Sequence, residues 1–69
     1  MKVEKVGENF MVSRGENYFC FFVDDTRSCW TKKRWRAAAF NEVGAHEAFI
    51  EIQRREKLKR EQRKARING

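Results

Sequence analysis

Beyond Ile52 the chain supplies almost nothing from which a core could be built. Between Gln53 and Arg66, eight of fourteen residues are Lys or Arg, two are Glu, and Leu58 is the one large apolar side chain. A helix formed there has no apolar stripe to bury, and its crowded cations favour solvent or a polyanion over packing. The core must therefore come from residues 1–52. All six Phe, both Trp and the Tyr do fall between Phe10 and Phe49. The expected organisation is one small α+β domain over 1–52, followed by a basic helical arm over 53–69.

The charge divides at the same place. Residues 53–69 carry eight basic and two acidic side chains, which is the whole net charge of +6. Residues 1–52 carry eight of each and are neutral by count. Within that neutral body Lys32, Lys33, Arg34 and Arg36 form a second positive cluster. Charge this uneven suits polyanions, acidic protein surfaces or anionic lipid headgroups. A 69-residue chain buries only about 60% of its unfolded surface, so each aromatic side chain weighs heavily in its stability.

Asn41 to Arg66 is expected to form one helix. Ala45, Ala48, Phe49 and Ile52 recur at spacings of three and four, which places them on one face, ready to cover a sheet. Asn41 is the expected cap. Gly44 in the first turn costs about 1 kcal/mol relative to Ala and predicts a ragged start. Past Ile52 the helix would project on the order of 20 Å. Glu51–Arg55 and Glu56–Arg60 are spaced as i,i+4 pairs along it. Because the apolar contacts end at Ile52, the arm is expected to be dispensable for the fold.

Upstream, the patterns are those of strands. Met1 to Glu8 alternates loosely and reads as an edge strand or a frayed end. Asn9 to Ser13 reads as a strand, Arg14 to Asn17 as a turn, and Tyr18 to Val23 as a central strand with apolar residues on both faces. Asp24 to Ser28 breaks the run. Two readings remain open for residues 27–39: a third strand over Arg27 to Thr31, or a short helix over Lys32 to Ala39 capped by Thr31. In the helical reading Trp35 packs on Ala38 and Ala39. The sheet is then a hairpin or three antiparallel strands, and Trp30, Phe40 and Phe49 share the core. No internal repeat is expected.

The candidate binding residues are all cations. Arg54, Arg55, Lys57, Lys59, Arg60, Arg63, Lys64 and Arg66 on the arm, with Lys32, Lys33, Arg34 and Arg36 in the body, are suited to nucleic-acid phosphates. Any apolar sheet face left uncovered would mark a protein interface, so a monomer and a homodimer both remain open. Cys20, Cys29 and His46 lack a fourth ligand and the close spacing of a metal site. Asp24 and Asp25 have no accompanying base or nucleophile. No enzyme activity, metal or cofactor is expected. The opening MKVEKVGENF lacks the apolar segment of a signal peptide, and no apolar run reaches the ~20 residues of a membrane span. The expectation is a cytoplasmic protein with free thiols and no membrane attachment.

From Trp30 the residues take a familiar order: Trp30-Thr31, Ala37 seven positions beyond Trp30, Phe40 ten beyond it, then Ala45, Ala48 and Phe49. Over roughly residues 9–52 this resembles small accessory proteins of tailed bacteriophages, in which an aromatic hairpin, a short helix, a brief strand and a final helix form a β-β-α-β-α unit. The resemblance implies a fold and carries no catalytic residue. NFMVSRGENYFCFFVDD is similar to the first hairpin of the arm-site DNA-binding domain of lambdoid phage integrases, which would imply insertion of the sheet into the DNA major groove. QRREKLKREQRKAR resembles the arginine-rich helices with which phage antitermination proteins hold RNA hairpins. Together these imply a non-catalytic nucleic-acid-binding protein of phage type, acting in a bacterial host, with DNA ahead of RNA. The alternative is a host-takeover protein that binds and inhibits a bacterial protein, such as a nucleic-acid-handling or defence enzyme.

Overall fold

The computed structural model describes residues 1–68, with side chains through Gln62. Four antiparallel strands form a meander, β1 (Lys2–Val6), β2 (Asn9–Arg14), β3 (Asn17–Phe22) and β4 (Ser28–Thr31), in the order β1-β2-β3-β4. A single 3-10 turn, Arg34–Arg36, comes next, and then one helix, α1 (Glu42–Asn68). The fold is α+β as expected. The amino-terminal segment is a paired edge strand, and Ser28 to Thr31 is a strand as well, so the sheet has four strands rather than two or three.

The first two hairpins are built alike. Val6 pairs with Asn9 and Arg14 with Asn17, leaving the two-residue loops Gly7-Glu8 and Gly15-Glu16. Gly7 (φ 63) and Gly15 (φ 59) take the left-handed conformation that two-residue hairpins need at their first central position. The tripeptide Gly-Glu-Asn thus occurs twice, eight residues apart, each time as a reversal of the chain. Contrary to expectation, the chain does hold a short internal repeat, and it marks both turns.

One face of the sheet carries the core. The registers Val3↔Val12 and Phe19↔Trp30 align Val3, Val12, Phe19 and Trp30 in a row across the strands. Ala48 and Ile52 of α1 lie on this row, with Phe22, Ala38, Phe40 and Phe49 packed around them. Phe19 is the hub. It stacks on Phe40 (centroids 6.3 Å, 18°), tilts against Phe22 (4.8 Å) and meets Trp30 edge-on (5.9 Å). Trp30, Phe40 and Phe49 do share the core. A register shift between Phe19 and Phe21 lets both Phe19 and Phe22 face the helix, while Phe21 turns to the other side and is exposed. β3 is covered by α1 on one side and partly covered on the other, where Tyr18 and Cys20 are half-buried and Arg34 lies over the Tyr18 ring, as a strand apolar on both faces had suggested.

The expected helix over Lys32 to Ala39 is replaced by the three-residue turn because the chain is needed elsewhere. β2 and β3 pair only at Ser13↔Tyr18 and Arg14↔Asn17 and then diverge. Residues 38–40 enter the gap. Phe10 N–H donates to the Phe40 carbonyl (2.8 Å), Phe40 N–H to that of Phe10 (2.9 Å), and Ala38 N–H to that of Phe19 (2.9 Å). Ala37 is already extended (φ −72, ψ 152), which ends the helical turn. Backbone groups that would otherwise be left unpaired in the sheet outweigh the high helix propensity of Ala37, Ala38 and Ala39.

The helix begins cleanly at Glu42. Asn41 Oδ1 accepts from the Gly44 N–H at 2.7 Å, an N-cap bond. A Cβ on Gly44 would lie 3.0 Å from that same oxygen and 3.5 Å from the Phe40 ring. Gly44 is thus the residue that lets the cap close rather than a flaw. Gly44→Ala should not deliver the ~1 kcal/mol that helix propensity alone would give. Once the cap is removed by Asn41→Ala, which itself costs about 1 kcal/mol, the same Gly44→Ala change should become stabilising. Thermal unfolding of the two single variants and the double variant measures this coupling. Simple additivity would remove the account of Gly44.

Candidate nucleic-acid interface

α1 has 27 residues, about 40 Å at 1.5 Å per residue, so it runs well past the sheet. The stripe that buries Ala45, Ala48 and Ile52 continues at Arg55, Glu56 and Lys59. These three positions mark the passage from body to arm. Arg55 is 21% exposed. Its guanidinium lies 4.0 Å over the Phe22 ring, donates to the Asp24 carbonyl at 2.7 Å and to Glu51 at 2.8 Å. Glu56 pairs with Arg14 of β2, whose guanidinium also sits 4.7 Å over Trp30. The contacts with the body therefore extend past Ile52 to Arg55 and Glu56. The expected Glu51–Arg55 pair is present, whereas Glu56 faces Arg14 rather than Arg60.

These contacts sort the arm's cations. Glu51 holds both Arg54 (2.6 Å) and Arg55 (2.8 Å). Among the described residues, no ion pair engages Lys57, Lys59 or Arg60. Two shallow concavities flank Glu56. Arg14, Arg27, Ser28, Trp30 and Lys59 line one, and Gln53, Lys57 and Arg60 line the other. Arg63, Lys64 and Arg66 lie outside the residues whose side chains are described.

Arg14 and Arg27 were not among the sequence candidates. Isolated cations on a strand and in a turn have no neighbours in sequence to signal a cluster. The β2–β3 and β3–β4 ends bring them beside the helix. Arg27 is fixed there by Asp24, which accepts from its Nε at 2.7 Å and from the amides of Thr26 and Arg27 at 2.9 Å each.

The second expected cluster is not joined to the first. Arg34 donates to the Tyr18 hydroxyl at 2.8 Å and lies over that ring. Tyr18 alternates with Phe19 and so faces away from α1. Lys32, Lys33, Arg34 and Arg36 thus belong to the far side of the sheet. Trp35, expected against Ala38 and Ala39, is 74% exposed instead. No family model, curated protein or solved structure matches this chain. Among the described residues no helix is long and apolar enough to cross a membrane. Burial and the neighbouring Cys29 thiol push the Cys20 thiol up, which makes it a weaker nucleophile at neutral pH.

Two carboxylates in this region give a pH signature. The Thr26 amide and then the Arg27 side chain hold Asp24 down to about 2. Arg54 and then Arg55 hold Glu51 down to about 2. Both are depressed in the fold, so their contributions are complete above the ordinary values of 3.8 and 4.5 and are lost as pH falls toward 2. The melting temperature should therefore fall between about pH 4.5 and pH 2, and Asp24→Asn or Glu51→Gln should each flatten that acid limb. An unchanged limb in both variants would contradict the pairing described.

Proposed function

We propose that this protein binds nucleic acid without catalysis, through the outer half of α1, as an accessory or regulatory protein of phage type in the cytoplasm of a bacterial host. The observation that carries the proposal is a set of cations that form no ion pair among the described residues, Lys57, Lys59 and Arg60 on the outer half of α1, with Lys59 beside Arg14 and Arg27 where the helix leaves the sheet. Glu51 is shared by Arg54 and Arg55 and offsets one of their two charges, so the positive field is strongest farther out along the helix. An α-helix, about 10–12 Å across with its side chains, fits the width of the DNA major groove and can reach its phosphates, which puts duplex DNA ahead of RNA. Phosphate contacts of this kind position a protein without reading bases, so little sequence preference is expected. The deciding experiment is duplex binding across a salt series by the wild type and by a variant with Lys57, Lys59 and Arg60 neutralised.

A second reading has its own observation. Val43 and Ile50 are exposed seven residues apart on the side of α1 away from the sheet. Two apolar side chains there suit a protein partner, as in a host-takeover protein that inhibits a bacterial enzyme. Val43→Ser with Ile50→Ser would separate the two readings, because it removes apolar surface without removing a cation.

A further inference from the structure

The sheet face opposite α1 presents an aromatic ring that the fold does not use. Trp is among the most heavily buried residues on average, yet Trp35 is 74% exposed. Its exposure does not come from a loose loop. Lys33 N–H donates to Thr31 Oγ1 (3.1 Å), Arg34 is bound to Tyr18 (2.8 Å), and Ala38 is bonded to Phe19 (2.9 Å). The turn is tied down at three points while its central side chain points outward. The Arg36 guanidinium lies 4.7 Å from the ring centroid and the Lys33 ammonium 5.5 Å from it. Among the described residues, Lys32, Lys33 and Arg36 form no ion pair. Phe21 is exposed on this same side of the sheet.

We propose that Trp35 is the centre of a second contact, one that takes an unpaired base of single-stranded nucleic acid. Every base offers a π face to an exposed indole, and this stacking is tolerant of sequence. Cations on the flanking residues are placed for the phosphates on either side of the stacked base, and the long Lys33 stem can swing from the ring to a phosphate. An apolar protein partner would leave those charges buried and unpaired, which is costly. A paired base would not serve, because its faces are already covered within the duplex. The inference rests on the nucleic-acid reading of the outer helix and names the form preferred, a duplex continued by a single-stranded tail. The helix cations would hold the duplex, and Trp35 would hold the tail on the opposite face.

Three ligands test this: a blunt duplex, an oligothymidylate single strand, and a duplex with a single-stranded tail. Trp35→Ala should weaken the single strand and the tailed duplex about tenfold to a hundredfold and leave the blunt duplex unchanged. Trp35→Phe should retain most of the affinity. The single strand should quench wild-type Trp fluorescence, and the quenched component should be missing from Trp35→Ala. Because Trp35 supports no core contact, these variants should fold, which circular dichroism checks. Unchanged single-strand binding in Trp35→Ala, or an equal loss on the blunt duplex, would overturn the stacking site while leaving the helix reading intact. Blunt-duplex binding that ignores the loss of Lys57, Lys59 and Arg60 would overturn the helix reading and leave a Trp35-dependent single-strand site standing. Absence of binding to all three ligands would overturn both.

Discussion

Phe19→Ala should abolish the cooperative thermal transition near ambient temperature. Phe19 is 3% exposed and is the ring on which Phe22, Trp30 and Phe40 all converge. Truncating a buried Phe costs about 3–5 kcal/mol, through lost transfer energy and the cavity left behind. At about 0.05–0.15 kcal/mol per residue a chain this small commands only about 3–10 kcal/mol in total, so the loss takes much or all of it. The rigid row formed by Val12, Ala48 and Ile52 cannot collapse into the void without pulling α1 off the sheet. Phe19→Leu keeps most of the volume and should leave a folded protein with a lowered melting temperature. Phe21→Ala, two residues along the same strand but exposed, should have little effect. A Phe19→Ala protein that melts as sharply as the wild type would mean that the aromatic hub is wrongly placed.

The second large effect concerns binding. Neutralising Lys57, Lys59 and Arg60 to Gln should lower affinity for duplex DNA by two to three orders of magnitude near 0.1 M salt. Each phosphate contact contributes about 0.9 to the slope of log affinity against log salt, so at 0.1 M each is worth on the order of tenfold. The slope itself should become shallower by about 2 to 3. Arg54→Gln provides the contrast with any one of the three: it removes one charge, but from a side chain that Glu51 already holds, so its effect should fall well short of the roughly tenfold expected for a single free cation. Unchanged affinity and slope in the triple variant would reduce the outer helix to a solvated face.

The legible parts of this structure were those fixed by local chemistry. The three- and four-residue spacing of Ala45, Ala48, Phe49 and Ile52 placed the helix against the sheet, and Asn41 marked its start. The hairpin at Gly15 and the division of charge at Ile52 were equally plain. What could not be read depended on contacts distant in sequence. Ala37, Ala38 and Ala39 favour a helix locally and are extended because β2 and β3 leave a gap. Trp35 then loses the alanine surface expected beneath it and faces outward. Arg14 and Arg27 join the helix cations only through the turns that carry them, and Glu56 turns to Arg14 instead of the Arg60 that helical spacing offers. Gly44 shows the reverse case, in which propensity was read correctly but the oxygen 3.0 Å from its missing Cβ was invisible. The repeated Gly-Glu-Asn lies in the sequence itself, but three residues carry no periodicity, and only the fold shows each copy as a reversal of the chain.

A meander joined by short loops is ordinarily a divisible architecture, since each hairpin owns its partners and can be trimmed or transplanted. Here the seam between β2 and β3 is closed by residues that arrive only after β4 is complete. The amide and carbonyl of Phe10 and the carbonyl of Phe19 have no strand neighbour of their own at that point. No fragment that stops short of Phe40 can therefore satisfy its own backbone, however many strands it contains. Asn41, the next residue, caps the helix, so the sheet's last hydrogen bonds and the helix's first are set by adjacent peptide units. The sheet and the helix root consequently form one indivisible unit, and insertions tolerated at Gly7 or Gly15 would not be tolerated between Ala38 and Asn41.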